Sequence, residues 1–291
     1  MTKKKDIDSH SGTETTGHEW DGIKELNTPL PRWWLWIFYA SIAWSIGYWV
    51  AMPAWPLISG YTAGILGYSQ RAEVIASLAD LNAGRQDMAK RLLDWTPGAG
   101  PKDDELRDFA FAMGKAAFGD NCATCHGAGA QGAPGLGYPN LNDDIWLWGG
   151  TIADIEKTLV VGIRSTHPET RNSKMPAYGK DGLLKPEEIN GLTELVLKLS
   201  GQAHDPTAAA SVEAIFKEQC AQCHAETGKG LREFGGPNLT DAEWLYGGSR
   251  EAIRTQIING RAGVMPSWSG RLDPATIKAL AVYVHSLGGG E

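Results

Sequence analysis

The run Cys122-Ala123-Thr124-Cys125-His126 recurs as Cys220-Ala221-Gln222-Cys223-His224, 98 residues further on. C-x-x-C alone suits half of a zinc site or a redox dithiol. The histidine after the second cysteine, the repetition and the helical surroundings turn the reading to covalent haem attachment. In that reading the thiols of each motif add to the two haem vinyl groups, and His126 or His224 is the proximal iron ligand. The chain's four cysteines all lie in these motifs, which leaves none for a structural disulfide framework.

The repeat extends beyond the cysteines. At the same offset Pro139-Asn140-Leu141 maps to Pro237-Asn238-Leu239, Asp143 to Asp241, Trp146 to Trp244, and Gly149-Gly150 to Gly247-Gly248. Met175-Pro176 matches Met265-Pro266 at an offset of 90, so the first copy carries eight extra residues. Each copy closes on a Pro-led helix, 186–199 and 274–287, with proline near the first turn where its missing N–H costs nothing. The pattern predicts an all-α chain with long Gly- and Pro-rich loops and almost no strand signal. Loops of that length suit a domain of roughly 90 residues whose core is completed by a prosthetic group.

Thioether sulfur is a soft iron ligand, and Met/His ligation raises the potential of a c haem. The reading therefore pairs Met175 with His126 and Met265 with His224. The Pro139 and Pro237 carbonyls are expected to accept the proximal imidazole N–H, with Leu141 and Leu239 against the haem. Trp146 and Trp244 suit either a haem propionate or the core. Met113 reads as core filler. His167 is an alternative ligand in the first copy, though a surface-loop role fits it better, and His10, His18, His204 and His285 read as solvated.

Residues 33–70 carry no charge, and Trp33–Met52 is a nearly pure apolar and aromatic stretch, long enough for the roughly 30 Å hydrocarbon core of a bilayer. Trp33, Trp34 and Trp36 at one end and Tyr48, Trp49 and Trp55 at the other sit where an aromatic belt is expected; Pro53 and Pro56 end the helix. A long polar lead and the absence of an A-x-A-like site argue against a cleaved signal peptide. Lys24 and Arg32, with Lys3, Lys4 and Lys5 further out, place the N-terminus in the cytoplasm by the positive-inside rule. The expected divisions are a cytoplasmic segment 1–31, a transmembrane helix 32–56, a periplasmic helical segment and linker 57–100, and two haem domains, 101–203 and 204–291. A helix from Arg71 to Trp95, interrupted at Asn82-Ala83-Gly84, and a linker at 97–101 are expected within the third.

Net charge is −7, so nothing in the composition points to nucleic acid as a partner. The membrane segment holds no histidine cluster for haem b or copper.

With these motifs, one span and the stretch Gly67-Tyr68-Ser69-Gln70-Arg71-Ala72-Glu73, the chain resembles the dihaem subunit (the CcoP/FixP family, subunit III) of proteobacterial cbb3-type cytochrome c oxidases. The resemblance covers roughly residue 20 to the end. It implies two tandem class I-like cytochrome c domains with two covalent haem c groups in a bacterial inner-membrane complex. It further implies a donor cytochrome c and electron delivery to a monohaem subunit and a catalytic haem-copper subunit of an oxygen-reducing, proton-pumping complex. A free-standing membrane-tethered dihaem cytochrome is the alternative.

Overall fold

The computed structural model describes residues 6–95 and 103–291; the linker expected at 97–101 and Lys3, Lys4 and Lys5 lie outside them. The chain divides into two compact units, Met1–Gly84 and Arg85–Glu291.

The first unit departs from the all-α expectation. Strands β1 (Thr15–Trp20) and β2 (Ile23–Leu26) form an antiparallel hairpin in which Trp20 faces Ile23 and Glu19 faces Lys24. Asp21 and Gly22 turn it, both at positive φ (48° and 86°), the backbone that a two-residue hairpin of matching twist requires. The Asp-Gly pair is the sequence signal for it. A second small hairpin joins β3 (Pro56–Leu57) to β4 (Gly60–Tyr61).

Between the hairpins runs α1 (Arg32–Ala51), with no buried side chain. Among the described residues no helix is long and apolar enough to cross a membrane on its hydropathy average. In α1 that average is pulled down by Trp33, Trp34, Trp36, Tyr39, Trp44, Tyr48 and Trp49, together with Ser41, Ser45 and Gly47. Helix α2 (Gln70–Asp94) runs through Asn82-Ala83-Gly84 without a break. A single glycine costs a helix about 1 kcal/mol, too little to end one of this length.

Besides the end of α2 and a short 3-10 helix (Arg232–Phe234), the second unit holds nine α-helices among its described residues: α3 (Asp104–Asn121), α4 (Ala123–His126), α5 (Ile152–Val161), α6 (Pro186–Leu199), α7 (Pro206–Ala210), α8 (Glu213–Gln219), α9 (Ala221–His224), α10 (Arg250–Asn259) and α11 (Pro274–His285). Their starts follow the repeat. Thr151 caps α5 by accepting from the Asp154 N–H (3.1 Å), and Ser249 caps α10 by accepting from the Ala252 N–H (3.2 Å). Pro186 and Pro274 open the two closing helices.

The packing does not follow the copies. Helix α11, the end of copy two, lies on α3 and α5 of copy one. Phe118, Cys122, Ile155 and Leu159 of copy one share a core with Ile277, Leu280, Tyr283 and Val284 of copy two. The approach of α11 to α3 is close enough that a Cβ on Gly114 would collide with the Ala279 backbone. Conversely α6, the end of copy one, packs on α7, α8 and α10 of copy two, joining Ile189, Leu192, Leu195 and Val196 to Val212, Phe216, Leu239, Ile253 and Ile257. Each core is thus built from the start of one copy and the end of the other. Full burial of each such aliphatic side chain contributes about 1.5–3 kcal/mol, so several on each exchanged helix outweigh the cost of ordering the connecting loops.

Candidate functional site

Each C-x-x-C-H turn follows directly on a helix, of 18 residues in copy one and seven in copy two. Cys122 closes α3 and begins α4; Cys220 closes α8 and begins α9. In both, the histidine N–H donates to the carbonyl of the first cysteine, at 3.0 Å from His126 and 2.9 Å from His224. This places two thiols and one imidazole on a single short helical turn.

Both imidazoles are oriented by the proline of the P-N-L motif: His126 Nδ1 lies 3.1 Å from the Pro139 carbonyl and His224 Nδ1 2.9 Å from that of Pro237. The carbonyl fixes Nδ1 as the donor and leaves Nε2 with its lone pair free for a metal. Burial pushes both histidines below the ordinary imidazole range, against the opposing pull of the proline carbonyls, so the rings are neutral at pH 7. Burial, with a smaller contribution from the second thiol of each motif, pushes Cys122 and Cys220 up to about 11.

Each methionine packs in a core shared between the two copies. Met175 packs in the core that contains Phe216, Leu239 and Cys220, and its sulfur lies 3.9 Å from Gln256 Nε2 on α10. Met265 packs in the core that contains Cys122 and Leu159. The exchange of closing segments thus brings Met175 into the core beside Cys220 and Met265 into the core beside Cys122. The backbone supports are symmetric. Gly162 after α5 (φ 69°) seats Met265-Pro266, and Gly260 after α10 (φ 57°) seats Met175-Pro176.

Both turns, Pro139, Pro237, Leu239, Met175 and Met265 line one cavity of about 650 Å³. Leu141 packs on the first core outside it. His167 also lies outside, with Nδ1 accepting from the Glu169 N–H (3.1 Å). Met113 packs beside Leu106 and Ala110. Trp146 donates its indole N–H to the Gly289 carbonyl, which commits it to the C-terminal backbone, and Trp244 packs on the second core. Sequence reasoning passed over Trp148, Arg164, Tyr246, Gln256 and Arg261, all in the cavity wall. The repeat offset, which maps Trp148 to Tyr246, was the available signal.

The residues present fit a haem at each turn. The thiols, the free imidazole nitrogen and a soft thioether form the donor set, and Gln256 Oε1, buried without a hydrogen-bond partner among the described residues, marks the wall as built for something more than protein. No group of His, Cys, Asp and Glu among the described residues has the geometry to hold a bare metal ion.

Helical folds closing on C-x-x-C-H turns, with a proline-held histidine and a methionine loop beside each, define cytochrome c sites. Residues 111–200 match the cytochrome c family model, and residues 207–284 that of cbb3-type cytochrome c oxidase subunit III. Residues 12–59 match the N-terminal domain of cytochrome oxidase-cbb3, FixP. The chain is 54% identical over its whole length, and that of the relative, to the cbb3-type cytochrome c oxidase subunit FixP of Bradyrhizobium sp. (strain ORS 278), and 55% identical, again full length on both sides, to FixP of Bradyrhizobium diazoefficiens. It is 51% identical to the subunit CcoP of Azospirillum sp. (strain B510), over 98% of each chain. The chain belongs to the FixP/CcoP family of cbb3-type cytochrome c oxidase subunits.

Proposed function

We propose that this chain is the membrane-anchored, two-haem electron-transfer subunit of a cbb3-type oxidase, taking electrons from a donor cytochrome c and passing them toward the monohaem and catalytic haem-copper subunits. The observation that carries it is the joining of both C-x-x-C-H turns and both methionine loops around one cavity. Haem c, when bound, supplies reversible one-electron iron chemistry. Cys122 with Cys125, and Cys220 with Cys223, hold the two groups covalently. His126 with Met265, and His224 with Met175, would supply the protein donors to the two irons. The Pro139 and Pro237 carbonyls keep each imidazole in one tautomer and orientation, so little reorganises when the charge of the site changes.

Helix α1 serves as the anchor. Its 20 residues span about 30 Å at 1.5 Å per residue. After Arg32 it carries no charge. Its serine hydroxyls are satisfied within the helix, Ser41 donating to the Phe38 carbonyl (2.7 Å) and Ser45 to that of Ser41 (2.8 Å). The terminal tryptophans and tyrosines, which lower the hydropathy average, are the residues favoured at the two membrane interfaces. Lys24 and Arg32 then orient the N-terminus to the cytoplasm and the haem domains to the periplasm.

The test is purification of the chain from its native membrane in mild detergent. Haem b and copper co-eluting with two haem c per chain support the oxidase; a two-haem protein free of both supports the tethered cytochrome.

A further inference from the structure

One side chain of copy one holds both methionine loops. Arg164 Nε donates to the Gly263 carbonyl (2.5 Å), and Arg164 Nη1 donates to the Ser173 carbonyl (2.7 Å). Gly263 lies two residues before Met265, and Ser173 two residues before Met175. The backbone is bent to bring this about. Arg164 has φ 52°, a left-handed conformation costly for a residue with a Cβ, and its N–H is tied to the Arg171 carbonyl (2.9 Å). The repeat places Ala262 at the matching position of copy two, so the clamp has no symmetric counterpart.

The charge of Arg164 is also uncompensated. The residue is half-buried in the cavity wall, and no carboxylate of the described residues forms an ion pair with it. Desolvation holds its guanidinium below the usual arginine range, with Tyr246 as the neighbouring titratable group. Two of its five N–H donors are used by the carbonyls, which leaves three. A half-desolvated cation without a counter-charge is costly unless the site brings an anion to it. A haem, the group these turns would hold, carries two propionate carboxylates.

We propose that Arg164 is a positioning residue shared by the two haem sites: it fixes both methionine loops at once and presents its remaining N–H groups to a haem propionate. This rests on the two-haem reading of the cavity. One guanidinium thereby makes ligation at the two irons mutually dependent, and its positive charge disfavours the oxidised state of the nearer iron.

The test uses the full-length chain in its detergent-solubilised complex. Haem c per chain is first counted in the wild type; fewer than two would overturn the two-haem reading itself, separately from the role of Arg164. Arg164→Lys and Arg164→Gln are then compared by redox titration and by the temperature at which the sulfur–iron charge-transfer band of the oxidised protein is lost. Lysine keeps the charge but cannot reach two carbonyls as a planar fork. Arg164→Lys is expected to leave the midpoint potentials near wild type while more than half of the band amplitude melts at lower temperature, since both sites loosen. Arg164→Gln is expected to do the same to the band and also to lower a midpoint potential. Loss confined to one haem, or unchanged melting in Arg164→Lys, overturns the shared clamp. Equal potentials in Arg164→Gln and wild type overturn the propionate contact. If the glutamine variant fails to assemble, the lysine variant alone decides the clamp.

Discussion

Ile163 and Met265 exchange both of their backbone hydrogen bonds, at 2.9 and 3.0 Å, although they belong to different copies of the repeat. That exchange, with Ser267 donating its hydroxyl to the Val160 carbonyl (2.6 Å), stitches the second methionine loop to α5 of the first copy. Lys278 on α11 and Glu156 on α5 add an ion pair at 2.8 Å across the same junction.

The glycines beneath the methionine loops follow from this junction. A Cβ at Gly162 would lie 2.6 Å from the Met265 carbonyl oxygen, and one at Gly260 2.5 Å from that of Met175. Both residues have positive φ, Gly260 in the left-handed helical region and Gly162 with an extended ψ of −176°. Alanine at either is expected to cost roughly 1–2 kcal/mol from conformation alone, with the carbonyl clash in addition. Thermal denaturation and the sulfur–iron band report it: Gly162→Ala is expected to weaken the band of the haem on Cys122, and Gly260→Ala that of the haem on Cys220. Wild-type stability in both variants contradicts the placement of the loops.

Asp241 gives a dependence on pH. Burial foremost, and repulsion from Asp143, raise its carboxyl above the ordinary value of 3.8, against hydrogen bonds from Glu243 and Asn238. Its Oδ2 is buried without a hydrogen-bond partner among the described residues. The folded state therefore binds the proton more tightly than the unfolded state, and wild-type stability falls as pH rises from 3.8 through the raised folded value. Asp241→Asn keeps an oxygen for the Glu243 N–H and removes the charge. It is expected to melt higher than wild type above that window, by no more than about 1 kcal/mol after solvent screening, and to lose the advantage below pH 3.8. A destabilised variant at pH 7 overturns the sign.

The donor is expected to carry a positive face. Residues 101–200 hold 10 Lys and Arg against 14 Asp and Glu, and residues 201–291 hold 8 against 10. Opposite charge accelerates encounter between carriers without a large interface. Stopped-flow reduction by a basic cytochrome c should slow as salt shortens the Debye length to about 8 Å at physiological ionic strength. A rate that is flat or rises with salt removes the acidic surface from the account.

The anchor is expected to be retained. N-terminal sequencing of the mature subunit should begin near Met1, whereas a start around residues 50–60 would identify α1 as a cleaved leader.

The chemistry was legible because it is local: Cys122 to His126, Cys220 to His224 and the two P-N-L motifs each lie in one short run whose residue types have few other uses. The hairpin at Asp21-Gly22 was equally local and was overlooked because the helical pattern dominates the chain. The exchange of closing helices was not legible. Both are Pro-led, amphipathic and of similar length, so either start of the repeat accepts either end. What decides between them is contact between residues as far apart as Phe118 and Tyr283, whose rings pack with centroids 5.5 Å apart. The clamp at Arg164 was hidden for the same reason, since its partners Ser173 and Gly263 lie in different copies.

The account turns on which methionine serves which haem, and marking one haem settles that. Cys125→Ala leaves the first haem held by Cys122 alone, with one vinyl group still conjugated, so its α band moves to longer wavelength than that of the second. Redox titration then follows the two haems separately in one protein. Adding Met265→Ala is expected to lower the potential of the shifted haem, and adding Met175→Ala that of the unshifted one. The same experiment with the mark moved to Cys223 should give the mirrored result. If Met175→Ala instead lowers the potential of the haem on Cys122, each copy ligates its own haem and the exchanged assembly is wrong.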